Sequence, residues 1–224
     1  ANLAVTGFWQ AGNVETVIFR AQSDMSFKPV KNWVFKTTNS YVYQEFGQVK
    51  ADEDILSLNF LSYKPEARVY PIFLSFFSTN FRRDIDLRTL YGAGATVQVF
   101  NESSYWLKFA LSSEYEQTFF GSTRFNRSRY NGNDYIDTFR ATLWVNGRYQ
   151  ILDNRLILSH QSYVQPSIQE RDNYRWQVDL GVELPLSRFL NFKINYLKTF
   201  ESVVKEGQKP EDRFLTFGLS FNSF

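Results

Sequence analysis

The chain has no cysteine and a single histidine, His160, in 224 residues. A disulfide framework and a thiolate metal site are therefore excluded, and one chain cannot assemble a multi-histidine metal centre. No apolar run approaches the roughly eighteen residues of a membrane-spanning helix. The longest, such as residues 70–77, are short and broken. A helical membrane protein is thereby excluded. A membrane β-barrel is not, because its strands are only half apolar. An excess of one charge sign is also missing. The 25 Lys and Arg are matched by 23 Asp and Glu, interspersed, and nothing points to a nucleic-acid partner. The sequence opens on the strand-like residues 2–10 and reads as a mature, processed form. No Pro-, Gly- or Ser-rich linker divides it, so one domain over residues 1–224 is expected.

What the chain has in plenty is aromatic side chains, 18% of residues, with 23 Phe and 13 Tyr. Such a content suits the interfacial girdles of a membrane barrel. Mean hydropathy is nevertheless −0.36, polar on average. The pattern that reconciles the two is alternation. In residues 212–224, Leu215, Phe217, Leu219 and Phe221 alternate with Thr216, Gly218, Ser220 and Asn222. A period of two places the large apolar groups on one face of a strand. The chain then stops at Phe224, out of phase with that face, which requires either a bulge near Asn222 or a strand that ends sooner.

The same alternation recurs along the chain. It predicts strands over residues 2–10, 14–27, 32–46, 53–63, 68–80, 87–100, 104–117, 136–149, 155–163, 173–184, 189–200 and 212–224. On the tenth, Tyr174, Trp176, Val178, Leu180, Val182 and Leu184 oppose Arg175, Gln177, Asp179, Gly181 and Glu183. On the fifth, Tyr70, Ile72, Leu74 and Phe76 are expected outward. On the sixth, Gly92, Gly94, Thr96 and Gln98 make a small inner face. Connections three, five, seven, nine and eleven are expected to be mostly longer and charged, and the even-numbered ones tight turns. This asymmetry is that of an outer-membrane barrel, with short periplasmic turns, longer external loops and both termini periplasmic. A soluble antiparallel barrel or sandwich would alternate too, with its apolar face turned into a core. The strands, often ten to fourteen residues against about 5–6 in soluble sheets, and the aromatic ending favour the membrane. The fold class expected is all-β, an antiparallel up-and-down transmembrane β-barrel of about twelve strands.

A family resemblance points the same way. Gly12-Asn13-Val14-Glu15-Thr16, Tyr91-Gly92-Ala93-Gly94, Val182-Glu183-Leu184-Pro185-Leu186, and the closing Gly218-Leu219-Ser220-Phe221 with terminal Phe224 occur in order along nearly the whole chain. In these the sequence resembles the salt-induced outer-membrane proteins, a β-barrel domain of unknown function in Gram-negative bacteria. The resemblance implies an outer-membrane location. It supplies no activity and no catalytic residues.

Three groups of residues could carry function. The first is the inward-facing charges: Arg20, Asp24, Lys36, Lys108, Glu114, Glu116, Arg140, Arg148, Arg175, Asp179, Glu183 and Lys193. They would either line a solute path or pair with one another in a mostly filled lumen. Mixed signs, and an inward Trp144 and Tyr63, favour the filled lumen. The second is His160-Gln161-Ser162, whose His and Ser share a strand face with Leu156 and Leu158. A lipid-facing His-x-Ser pair is the arrangement of outer-membrane phospholipases and deacylases. Here Tyr163 follows where those enzymes continue with Asn, and the third member of a triad is not evident, with Asn146 and Gln177 the candidates. The third is the irregular stretch 118–135, where Arg124, Arg127 and Arg129 lie among Phe119, Phe120, Phe125 and Tyr130. It reads as a partner- or lipopolysaccharide-binding loop or as a solvated one. The expectation is a non-enzymatic outer-membrane barrel with a structural or envelope-stress role, without catalytic residues, cofactor or metal. It would contact outer-membrane lipid and lipopolysaccharide, with a protein partner at the 118–135 loop and a place in a larger envelope assembly. A narrow channel and a lipid-modifying hydrolase are the alternatives.

Overall fold

Period-two alternation drives the chain into strands, and the computed structural model, which describes residues 2–11, 15–187 and 190–221, contains twelve of them. They are β1 (Asn2–Gln10), β2 (Thr16–Phe27), β3 (Trp33–Phe46), β4 (Val49–Tyr63), β5 (Val69–Asn80), β6 (Ile85–Asn101), β7 (Tyr105–Phe120), β8 (Tyr135–Ile151), β9 (Leu156–Pro166), β10 (Tyr174–Pro185), β11 (Leu190–Glu201) and β12 (Glu211–Phe221). Each pairs antiparallel with the next, so spatial order follows sequence order from β1 to β12. A one-turn 3-10 helix, Ser128–Tyr130, lies between β7 and β8. The expected bulge near Asn222, the terminal Phe224 and the Gly12-Asn13 turn lie outside the described residues.

The sheet is rolled. In a flat sheet β6 and β11 would stand ~24 Å apart, five steps of ~4.8 Å. Arg88 on β6 nevertheless reaches Glu201 on β11 at 2.7 Å. Phe60 on β4 likewise packs edge-on against Trp144 on β8, ring centroids 6.1 Å apart. Rolling turns one face of every strand inward. The outer face is apolar and exposed: Phe217 is 76% accessible and Leu215 66%. The inner face is polar and dry in places: Glu114 is 1% accessible, Glu116 2% and Thr142 0%. This polarity is the reverse of a water-soluble fold.

Three sequence expectations are corrected. Tyr70, Ile72 and Leu74 of β5 point inward and are buried, while Val69 and Phe73 are exposed outside. Both faces of β5 are apolar, so alternation alone leaves its direction open. The neighbour decides it: Ile72 pairs with Gly94 and Leu74 with Gly92. The glycines leave inner-face space for large side chains. They are themselves tightly covered from β7. A Cβ on Gly92 would stand 2.6 Å from the Glu114 Cγ, and one on Gly94 would stand 2.2 Å from the Leu111 carbonyl. Tyr63 also points outward, packed on Trp33 with centroids 5.0 Å apart. The tyrosine that packs on Trp144 inside is Tyr163, ring centroids 4.7 Å apart.

The third correction concerns the loops. The connection expected over 47–52 is a tight hairpin, Gly47 and Gln48 both having positive φ (56° and 62°). That is the turn geometry a two-residue hairpin favours. Long connections are confined to residues 121–134, 167–173 and 202–210, all at the same end. The irregular stretch expected from 118 is shorter because β7 runs on to Phe120 and β8 begins at Tyr135.

These three loops fold onto one another as a cap. Phe125 and Lys205 form an antiparallel bridge. Asn126 N–H donates to the Val204 carbonyl at 2.9 Å, and Glu206 N–H to the Arg124 carbonyl at 3.0 Å. Beneath this ladder, Ile85, Phe120, Phe125, Tyr130, Ile136 and Val203 form a buried apolar cluster. Arg129 bonds Glu170 at 2.8 Å, and the Tyr130 hydroxyl donates to the same carboxylate.

Candidate functional site

Below the cap, the inward charges of six strands converge. Glu116 on β7 accepts from Arg140 Nε on β8 at 2.8 Å and from Arg175 Nη2 on β10 at 2.6 Å. Arg88 on β6 stands 3.8 Å from Glu116 and grips Glu201 through both terminal nitrogens, at 2.7 and 3.1 Å. Arg83, in the β5–β6 turn, joins Glu201 to Asp212 of β12. The result is a continuous ion-paired belt across the inside of the barrel. Paired, hydrogen-bonded charges tolerate burial, whereas a single unpartnered member does not.

A hydrogen-bonded chain extends the belt down the lumen. Arg175 Nε donates to Gln165, and Gln165 donates to Thr142 at 2.5 Å. Thr142 donates to Glu114 at 2.7 Å. Ser112 donates to the same carboxylate and accepts from Trp144 Nε1 at 3.3 Å. Period two makes this possible, since Ser112, Glu114 and Glu116 occupy successive inner positions of one strand.

Two sizeable cavities lie inside the barrel among the described residues. One, of about 410 Å³, sits against the belt and is lined by Arg83, Arg88, Arg175, Glu201, Leu56 and Phe76 among others. The second, about 800 Å³, lies toward the opposite end and is lined by Lys36, Lys108, Arg148 and Asp179 among others. Trp144 and Gln161 border both, which places the Phe60–Trp144 contact at the waist.

All twelve charges expected inside lie on the inner parity of their strands, as the registers fix it. They do not form one group. Glu116, Arg140 and Arg175 belong to the belt, Arg148 and Lys193 flank Glu183, and Lys36 and Lys108 line the wider cavity. Four members of the belt were not singled out in the sequence: Arg83, Arg88, Glu201 and Asp212. The parity of Gly92 and Gly94 leads back to Arg88, and that of Thr199 on to Glu201, so both were within reach of the strand pattern.

His160 and Ser162 lie on the outer face. His160 pairs in register with Gly147, where a Cβ would come within 2.5 Å of its Nε2. The imidazole stacks on Tyr149, 22° between planes, with Nε2 3.3 Å from the phenol oxygen. Asn146 and Gln177 lie on the inner parity, across the sheet from this pair. The geometry thus assembles a His–Tyr pair and no Ser–His–acid relay among the described residues. Of the aromatic and arginine residues expected in the stretch 118–135, Phe120, Phe125 and Tyr130 are consumed by the cap, Phe119 packs outside on Tyr135, and Arg124 and Arg127 are exposed.

The chain belongs to the family described as Protein of unknown function, DUF481, whose model matches residues 6–222. Among the curated proteins none matches. Of solved structures, a NanC porin in a rhombohedral crystal form matches with TM-score 0.58 and 10% identity, over 99% of this chain and 100% of that one. A bacterial polysaccharide outer membrane secretin matches with TM-score 0.46 and 11% identity, over 98% of this chain and 77% of that one. At 10% identity the likeness to the porin is one of fold.

Proposed function

We propose that this family member is an outer-membrane β-barrel of a Gram-negative bacterium whose role is non-enzymatic, a structural or envelope-stress component of the membrane. The reading that the family answers to salt belongs to this proposal. The observation that carries the proposal is the buried belt, in which Glu116 alone engages Arg140 and Arg175 and approaches Arg88. Paired charges tying β6, β7, β8, β10 and β11 together hold the lumen shut at that level. The exposed apolar outer face supports burial in lipid. The cap at the long-loop end supports an external cap and periplasmic termini. Exposed Arg124 and Arg127 offer lipopolysaccharide phosphates or a protein partner a cationic edge.

Purified protein in planar bilayers should show no stable porin-like conductance. Steady, large, reproducible channels would refute a closed lumen. They would promote the second reading, a narrow channel, which the two cavities and the porin-like fold favour. Hydrolase chemistry is left out of the proposal because the His160 ring is engaged by Tyr149. Phospholipid turnover lost in both His160→Ala and Ser162→Ala would bring it back.

A further inference from the structure

The barrel treats its inward cations in two ways. In the belt, Arg83, Arg88, Arg140 and Arg175 each have a carboxylate within 2.8 Å. At the short-turn end this stops. Lys36 on β3 and Lys108 on β7 both line the cavity of about 800 Å³, and neither forms an ion pair among the described residues. Their in-register neighbours are neutral, Ser26 and Phe60 for Lys36, Gln98 and Asn146 for Lys108. So are the residues two positions along each strand, Val34 and Thr38, Trp106 and Ala110. Asp24, one inner pair along from Lys36, accepts from Thr38 and Gln22 instead. What Lys108 has is two rings. Its Nζ lies 5.9 Å from the Tyr70 centroid and 5.5 Å from that of Trp106. A ring face attracts a cation but carries no net charge, so the positive charge stays uncancelled.

The whole chamber carries a positive surplus. Arg148 also lines it, and Asp179 is the one carboxylate among its lining residues. Beside the lining, Glu183 is shared by Arg148 at 3.7 Å and Lys193 at 3.5 Å. Lys36, Lys108, Arg148 and Lys193 are thus set against Asp179 and Glu183, four cations to two anions. The mouth adds to the imbalance. Among the described residues, the turns at this end carry Lys28, Lys31, Lys64, Arg68 and Arg155 against Glu66, Glu102 and Asp153. The Phe60–Trp144 contact floors the chamber, and Pro65 and Asn101 lie at its rim. Low-dielectric walls focus such a field toward the opening. The volume equals roughly two dozen waters at ~30 Å³ each, room for a hydrated ion.

We propose that this chamber is an anion-binding vestibule, open at the short-turn end, that takes a small divalent oxyanion of the sulfate or phosphate kind, with Lys36 and Lys108 as its principal cations. A lysine ammonium is a compact point charge with rotatable donors. Such a site reads charge rather than shape, and a surplus of two positive charges is answered by a dianion. Arg148, already turned toward Glu183, contributes field more than contact. The site does not depend on whether the belt shuts the lumen beyond the waist.

The test uses the whole barrel in a non-ionic detergent and a Tris buffer. Sodium sulfate is the probe, and sodium chloride holds the ionic strength constant, so that general screening does not change during the titration. Calorimetry should show saturable binding. Lys36→Gln and Lys108→Gln should each weaken it about tenfold or more, the loss expected for a hydrogen bond to a charged group. The double substitution should abolish it. Lys36 is exposed and outside every ion pair, so its loss should leave the barrel folded, which heat-modifiable gel migration checks. Arg171→Gln makes the same change of net charge in the exposed 167–173 loop at the other end and should leave binding unaltered. No saturable binding below ~10 mM would overturn the proposal. So would an equal loss in Arg171→Gln, which would show attraction to net charge without a site. Sulfate binding that persists in the folded double variant would do the same, by placing the anion elsewhere.

Discussion

On β7 and β8 the inward Glu114, Glu116, Thr138 and Thr142 are shut away from solvent, whereas on β2 and β3 the inward Arg20, Gln22 and Lys36 are exposed and Asp24 and Thr38 only half-buried. Both walls are built by the same alternation and carry the same kinds of residue. What differs is what stands opposite and above. The long loops all follow β7, β9 and β11, so the cap closes over the wall from β6 to β11, while β3 and β4 end in a two-residue turn. Arg and Glu also face each other across the belt, while Asp24 is met by a hydroxyl, Thr38 at 2.8 Å. Strand parity therefore decides which side chains enter a lumen. Opposing charge and overhead cover decide which of them become dry.

The widest separation between the two walls should come from removing one carboxylate on each. Glu116→Ala leaves Arg140 and Arg175 buried without their partner and should cost about 3–5 kcal/mol, the usual penalty for breaking a buried pair. Asp24→Ala forfeits a partly solvated hydrogen bond and should stay within about 1 kcal/mol. Urea unfolding in detergent measures both. Equal losses would erase the distinction between a dry and a wet wall.

A smaller difference separates the two faces of β10. Leu180 pairs with His160 and Tyr196 on the outside, and Gln177 faces the smaller cavity. Leu180→Arg should cost on the order of 2–4 kcal/mol near a bilayer midplane and slow assembly into vesicles. Gln177→Arg, placed in a polar lumen, should be milder. If refolding yields fall equally, the outer face does not meet lipid.

These contrasts also show which parts of the molecule sequence could reveal. β10 is unambiguous because one face is wholly apolar and the other is not. β5 is not, because Tyr70, Ile72 and Leu74 compete with Val69 and Phe73. Only the register against Gly92 and Gly94 resolves it, and register is a relation between strands. Three of the seven belt residues, Glu116, Arg140 and Arg175, were legible as inward charge. The closure of the belt through Arg88 and Glu201 was not, since those residues are 113 positions apart and meet only when the sheet rolls. The cap was hidden for the same reason. Asn126 and Val204 lie 78 residues apart, and composition cannot distinguish aromatic residues that bind a partner from those that bind another loop of the same chain.

The smallest effect concerns the cap alone and turns on Tyr130. Burial, reinforced by the Glu170 carboxylate that its hydroxyl bonds, pushes the phenol up to about 12 from its ordinary value. The acid form is thus favoured in the folded loop. A group raised in this way contributes its stability fully below the unfolded pKa of ~10. That contribution is lost as pH rises through about 12. The cap should therefore hold at neutral and mildly alkaline pH and loosen at strongly alkaline pH, as a tyrosinate forms beside Glu170. Tyr130→Phe deletes the titration and, by removing one hydrogen bond, should leave barrel unfolding within about 1 kcal/mol of the parent. The tyrosinate absorbance of the parent minus that of Tyr130→Phe isolates this one phenol. Its midpoint should lie well above that of free tyrosine. A midpoint near ~10 would mean that Tyr130 is neither buried nor bonded to Glu170, and that the cap is no drier than the open wall opposite.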